Sequence, residues 1–497
     1  MTDKKRAINR RRFLGAAAAA AGAAALVACG NANPQPPAST GAGSAAPAAT
    51  SAPAKPTEAP KPAGGATSAP AATSAPAAAT KPAGGSTPAA AGKPGAPNQI
   101  YTMVDKVWSD LGMKAATDLF NKENPDLGQV TLEETAEGWD TKVLQQIRDN
   151  NLRWSGHGYA AFFDSHKYIK AGLVAPIDDY LKAAKFPWGQ KQKDVYFTSR
   201  IYDAMLLDGK QYYIPMKANV HLVGYRADHL QAASIDAFPK TWDEVDKMIA
   251  KLKPVLEKQD AVAFGISRDL FRSLGTSFAT MIEKPFDDDG ILKIESPEWI
   301  QWIELTKKWK DMGMARIDNN SDHYDAWQKG KFTFSLGSHS LVRTGKQVAP
   351  DKVKGANPPQ PSTSQPGRTW IHIDSGFVFP NAPNPQLATN WLLAVLGPEG
   401  NPADTWWKGV LAFSGQPVYQ SMIEKHLNSN KDLAEVAEVM KLVPTSQIIT
   451  LPVAGAYAIV QAKLWNYLDE FYKSGNAKEQ MAKAMKDIKD ELAKQKK

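Results

Sequence analysis

The chain has 497 residues, 43% of them apolar, which is enough for two packed domains once non-globular segments are set aside. Its formal net charge of +8 sits at the start: residues 1–29 carry +5, residues 30–98 carry +3, and residues 99–497 carry none. The globular part has no basic excess, so the basic pI gives no support to nucleic-acid binding. The single cysteine, Cys29, excludes an intramolecular disulfide, a cysteine nucleophile and thiolate-built zinc sites from everything behind it.

In chain order, Lys4, Lys5, Arg6, Arg10, Arg11 and Arg12 precede an apolar run from Phe13 to Ala28 that ends at Cys29. This is a charged n-region and a short h-region, too short and Ala-rich for a stable membrane span. Arg10-Arg11-Arg12-Phe13-Leu14 resembles a twin-arginine export signal. Leu26-Val27-Ala28-Cys29 resembles a bacterial lipobox, in which small residues admit the signal peptidase and the Cys29 thiol is acylated. Residues 1–29 are therefore expected to export the chain, and Cys29 to anchor it by lipid to the outer face of the cell membrane.

Residues 30–98 are built almost entirely from Ala, Pro, Gly, Ser and Thr; Lys-Pro-Ala-Gly-Gly occurs twice and Ala-Thr-Ser-Ala-Pro three times. Without bulky apolar side chains such a segment cannot offset the entropy of ordering, and it reads as a disordered tether. As a flexible coil it would span roughly 45 Å.

From Ile100 onward strands and helices alternate. Ala116, Leu119 and Phe120 fall at helical spacing, and that helix should stop before Pro125. Gln129 to Glu133 alternates as a strand. Thr241-Trp242-Asp243-Glu244 has the capping-box form, with Val245, Met248, Ile249 and Leu252 on the buried face behind it. Ser296-Pro297-Glu298 begins another helix, with Trp299, Trp302 and Ile303 on one stripe. Lys331 to Leu336 and Gly376 to Phe379 read as strands. Tyr457, Val460, Leu464, Leu468 and Phe471 form a late helical stripe, and Met481, Met485, Ile488 and Leu492 form a second. This alternation predicts α/β lobes with largely parallel sheets.

The order of short segments resembles the extracellular solute-binding proteins of the maltose-binding type. Lys114 to Pro125 is similar to the family's first helix with its closing Asn-Pro, and Ala171 to Leu181 to its "Gly-Leu-Leu, small, Pro-Leu-Asp" stretch. Asp208 to Pro215 resembles "Asp-Gly-Lys, Tyr-x-x-Pro", and Tyr225-Arg226-Ala227-Asp228 stands for Tyr-Asn-x-Asp. Pro239 to Glu244 and Ala326 to Lys331 complete the set over about 330 residues. One departure is Gly156 to Asp164, where the family's usual Pro-Asp pair is missing.

The resemblance implies a two-lobe periplasmic-binding-protein fold with an interlobe cleft and crossing hinge strands. On that analogy the solute-binding domain is 99–497, with an N-lobe of about 99–222 and 330–382 and a C-lobe of about 223–329 and 383–497. It implies capture of a small solute, a carbohydrate in preference, and delivery by hinge closure to the membrane subunits of an ABC-type importer, the chain acting as a monomer without a cofactor.

Sugars are held by flat aromatic faces, with carboxylates and amides on their hydroxyls. The candidates are Trp108 after the first strand, Trp406 and Trp407 before Phe413-Ser414-Gly415-Gln416-Pro417, and Tyr457 at the start of the late helix. Asp164, His339 and Asp374 are the polar candidates near predicted strand ends. Trp242, Trp299, Trp302 and Trp309 read as core. No nucleophile elbow, Walker loop, His-Glu-x-x-His or dinucleotide fingerprint is present, and the eight His include no i, i+4 pair for a metal. Asp287-Asp288-Asp289-Gly290 fails as a calcium loop, because its Gly would put Pro285 at the first ligand position. A surface glycosidase, needing only two carboxylates about 5–10 Å apart, stays open as the enzyme alternative. An adhesive surface protein fits the tether but not the motif order.

Overall fold

The computed structural model describes residues 98–495 apart from 271, 288–290, 365 and 414, all within one compact unit, Lys93–Lys497. The expected export signal, Cys29 and all but the last residue of the tether lie outside the described residues.

The strands are β1 (Gln99–Val104), β2 (Gln129–Glu134), β3 (Trp154–Ala160), the hairpin β4 (Leu206–Leu207) and β5 (Lys210–Gln211), and β6 (Tyr213–Arg226). They continue with β7 (Val262–Ser267), β8 (Ala315–Asp318), β9 (Phe332–Ser338), β10 (Val353–Ala356) and β11 (Ile371–Val378). One mixed sheet runs β2-β1-β3-β11-β6-β9-β7-β8, with β10 alongside β6. β1 lies parallel to β2 and β3, and β7 lies parallel to β8 and β9. The departure from largely parallel sheets is at β6 and β11, which run antiparallel to the strands beside them. These two carry the chain between the two halves of the sheet, and that return path fixes their direction.

Local chemistry explains the motifs. Asp208 and Gly209 both have positive φ, 52° and 73°, and turn the β4–β5 hairpin in two residues, the favoured geometry for Asp-Gly. The helix α1 (Lys114–Glu123) ends at Asn124, before Pro125. α2 (Phe162–Lys170) follows β3. Thr241 and Glu244 make the reciprocal bonds of a capping box at α3 (Trp242–Leu256), and Ser296 accepts the Trp299 N–H at the start of the next helix. Trp299, Trp302 and Trp309 are fully buried, with Trp299 stacked on Trp302 at 5.1 Å.

Two apolar cores result. The first gathers Val104, Phe120, Ile214, Val220, Phe377, Trp391 and Trp407; the second gathers Val245, Ile249, Phe264, Trp302, Phe334, Leu464 and Met481. The chain passes between them at several points, among them Leu222/Val223, Trp370/Ile371 and Ile448/Ile449, while Phe162 joins the second core and Trp327, Phe332, Leu341 and Val353 join the first. These crossings lie side by side: the His221 N–H donates to the Trp370 carbonyl at 3.0 Å, and the Ile449 N–H donates to the Ile371 carbonyl at 2.9 Å.

The expected N-lobe segment 330–382 is split, with Phe334, Leu336 and Trp370 in the second core and Phe332, Leu341 and Ile371 in the first. The expected C-lobe segment 383–497 is divided by the last of these crossings. Its helices α4 (Pro385–Leu396) and α5 (Asn401–Phe413) bury Leu387, Trp391, Trp406 and Val410 in the first core. α4 covers the sheet at β3, β6 and β11, and that apolar face holds this segment on the first lobe. Only α6 (Leu451–Ser474) and α7 (Ala477–Gln495) put their main apolar stripes into the second core.

Candidate functional site

The crossing strands bring a polar group to the floor between the lobes. β6 and β11 pair with Lys217 opposite Asp374. Asp374 Oδ2 accepts from Lys217 Nζ at 2.6 Å and from Asn219 Nδ2 at 2.9 Å, while Oδ1 accepts the Phe162 N–H at 3.2 Å. Lys217 also donates to Asn219 Oδ1 at 2.8 Å. Lys217 and Asp374 are 3% and 5% exposed. Burial opposes ionisation of Asp374, but the adjacent Lys217 charge and the hydrogen bonds from Lys217 and Asn219 hold its carboxyl below the usual value.

A Cβ on Gly415 would fall 2.5 Å from Lys217 Cδ, so only glycine lets that loop lie against the lysine. The next residue, Gln416, exchanges backbone bonds with Ala218, and its side chain accepts the Val220 N–H at 2.9 Å. Gly415 and Gln416 thus lie along β6 and help to fix the floor.

Aromatic rings rise from the floor on the first lobe. Lys217 Nζ lies 5.2 Å from the Trp108 ring centroid. Trp108 packs on Tyr159 at 5.0 Å, Phe413 at 5.4 Å and Trp406 at 6.1 Å. On the other side, Phe163 of α2 stacks on Tyr457 of α6 at 5.1 Å and touches His372 at 5.5 Å. The Tyr457 hydroxyl lies 3.3 Å from Asp269 Oδ1 and 3.3 Å from Gln461 Oε1. Gln461 clamps the loop by donating to the Arg268 carbonyl and accepting the Leu270 N–H, both at 2.7 Å. Arg272 pairs with Asp269 at 3.1 Å and lies over the Tyr324 ring.

The structure therefore brings Trp108, Trp406 and Asp374 into one neighbourhood and sets Tyr457 on the second side through Phe163. Trp406 is fully buried behind Trp108. Trp407 is fully buried too, but it donates to the Gly397 carbonyl and packs on Tyr419, away from the floor. Asp164 lies in the first turn of α2, half-exposed, 4.0 Å from Lys167. His339 is buried next to helix Ser340–Val348, and burial draws its imidazole down to about 4, so it is neutral at pH 7.

Residues 115–424 match the family of bacterial extracellular solute-binding proteins. The chain belongs to that family. A Brucella abortus (strain 2308) chain, named as a candidate binding protein, is 25% identical over 284 residues, 54% of this chain and 64% of the relative. This solute-binding chain thus spans somewhat under two thirds of the length of such a sequence relative. Among solved structures, the sugar-binding protein MalE of Xanthomonas citri superposes with a TM-score of 0.65 at 16% identity, covering 80% of this chain and 98% of that one. The cyclic alpha-maltosyl-1,6-maltose binding protein of Arthrobacter globiformis gives 0.61 at 16% identity, with 79% and 98% covered. The fold of this solute-binding domain is accordingly that of the two-lobe binding proteins, with the crossings as its hinge.

Sequence reasoning missed Lys217, Asn219, Phe163, Asp269 and Arg272. Lys217 carried one signal: a lysine inside the otherwise apolar and neutral run Tyr213 to Val220 needs a buried partner. Which acid answers it depends on strand register, and no local pattern gives that.

Proposed function

We propose that the domain captures a carbohydrate between its lobes outside the cell membrane and delivers it to an ABC-type importer as the lobes close. The observation that carries this reading is the pairing of aromatic faces with a buried polar floor: Trp108 and Phe413 on one side, Phe163 and Tyr457 on the other, and the Lys217–Asn219–Asp374 group between. Rings take the C–H faces of a sugar, while amide and charged groups take its hydroxyls. The sugar ligands named for the similar structures support the same class. In this reading Trp108 and Tyr457 stack on the ligand and Asp374 holds Lys217 and Asn219 in place. Trp406 backs Trp108, Asp164 lies at the rim, His339 supports the wall as a buried neutral imidazole, and Trp407 serves the fold. Acylation of Cys29 anchors the chain, and the tether lets the monomeric domain reach the importer.

Thermal-shift and calorimetric titration against maltotriose, mannotriose and acidic oligosaccharides tests the proposal. A ligand at 100 times its Kd should add about 2.7 kcal/mol to stability. The sugar should be recovered intact, whereas shortened products would favour the glycosidase reading. No shift with any oligosaccharide would refute carbohydrate capture.

A further inference from the structure

The cations around the floor are not equally satisfied. Lys217 is neutralised by Asp374 and Arg272 by Asp269. Arg343, in helix Ser340–Val348, has no ion pair among the described residues, and its Nε has no hydrogen-bond partner. Its guanidinium lies 4.7 Å from the Phe413 ring centroid, and Phe413 packs directly on Trp108. The phenol of Tyr324, whose ring is covered by Arg272, also lies within electrostatic reach of Arg343. Arg343 thus borders the aromatic patch of the first lobe, through Phe413 and Trp108.

Partial burial of a guanidinium without a carboxylate leaves its desolvation uncompensated, and an aromatic face returns only part of that loss. Burial lowers the pKa of Arg343, yet an arginine keeps its charge at any physiological pH. Closure of the lobes would remove more water from it. A ligand anion held there would supply the missing partner, and the planar fork of a guanidinium suits a two-oxygen anion.

We infer that the ligand is an acidic carbohydrate, its carboxylate or phosphate meeting Arg343 while its ring lies against Trp108 and Phe413. This deepens the carbohydrate reading and rests on it. Lys217 and Arg272 are each paired with an acid, so of these three cations Arg343 alone has no acidic partner among the described residues.

The test uses the full domain and two matched probe pairs: trigalacturonate against its methyl ester, and glucose 6-phosphate against glucose, with maltotriose as a neutral reference. At least one anionic probe should bind at least about tenfold tighter than its neutral match, as a charge-assisted hydrogen bond of ~1.5 kcal/mol or more requires. R343Q should erase that preference with the melting temperature unchanged, and R343K should restore part of it. The probe that binds separates a carboxylate ligand from a phosphate one. Neutral members binding as well as their anionic matches, or a preference that survives R343Q, would overturn the inference. Silence of both anionic probes overturns it too, and maltotriose binding in that case leaves the carbohydrate reading standing.

Discussion

Replacing Asp374 by Ala exposes what the floor is made of. Lys217 and Asp374 are both nearly inaccessible, and three donors converge on this one carboxylate: Lys217 Nζ, Asn219 Nδ2 and the Phe162 N–H. Removing the acid strands a buried ammonium, which typically costs about 3–5 kcal/mol. Removing both charges as Lys217→Met with Asp374→Leu should recover most of that. The Phe162 N–H and the Asn219 amide remain short of an acceptor, leaving a deficit of roughly 1–3 kcal/mol. Urea unfolding of the wild type, both single variants and the double variant gives the coupling energy. The sign with pH follows from the lowered carboxyl: its stabilisation is present above the unfolded value near 3.8 and is lost as pH falls through the lower folded value. Asp374→Ala should therefore lose its stability deficit relative to wild type only in strong acid. Single-variant costs that add to the double-variant cost within about 0.5 kcal/mol would refute a coupled pair.

Trp108→Ala should lower both affinity and stability, the latter by about 3–5 kcal/mol, because the ring is buried among Tyr159, Trp406 and Phe413. Tyr457→Ala should weaken binding by about 1–3 kcal/mol with a smaller loss of stability. Calorimetry with paired denaturant melts checks both, and unchanged affinity at Tyr457 with a large stability loss would place it in the core. Cys29→Ser should abolish acylation, read as loss of detergent-phase partitioning; equal partitioning would remove the anchor. Deleting most of residues 30–97 should leave melting temperature and affinity nearly unchanged, and a loss of several degrees would mean that the segment packs on the domain.

The parts of the fold legible in the sequence were those set by local rules. The Thr241–Glu244 box and the Ser296-Pro297 start each depend on neighbours within a few residues. The Trp299, Trp302 and Trp309 stripe follows helical spacing, and all three rings are buried. Segment 383–440 was misplaced because its helices are apolar on the side that docks, and apolarity does not say which of two cores receives it. The site was less legible for a related reason. Asp374 and Lys217 are 157 residues apart, and Phe163 and Tyr457 meet across two helices. Aromatic content pointed to Trp108, Trp406 and Trp407 alike, while only three-dimensional packing separates a ring on the floor from one behind it and one facing Gly397.

Hinge and floor share residues, and this bears on how a ligand could drive closure. Asn219 lies three residues before the crossing at Leu222/Val223, and Asp374 lies three residues after Ile371 begins its own crossing. Atoms near a rotation axis move least, so contacts to the floor are nearly the same with the lobes apart or together. Tyr457 on α6 and Arg343 beyond β9 instead meet rings carried by other elements, Phe163 and Phe413, and contacts of that kind change as the lobes rotate. A ligand shifts the hinge only through differential affinity for the two states, so the rim contacts must supply it. Weakening Asn219 should then lower affinity while leaving the closed fraction at saturation intact. Removing Tyr457 or Arg343 should lower that fraction even when the ligand is bound, a difference that interlobe distance measurements at saturation would read directly.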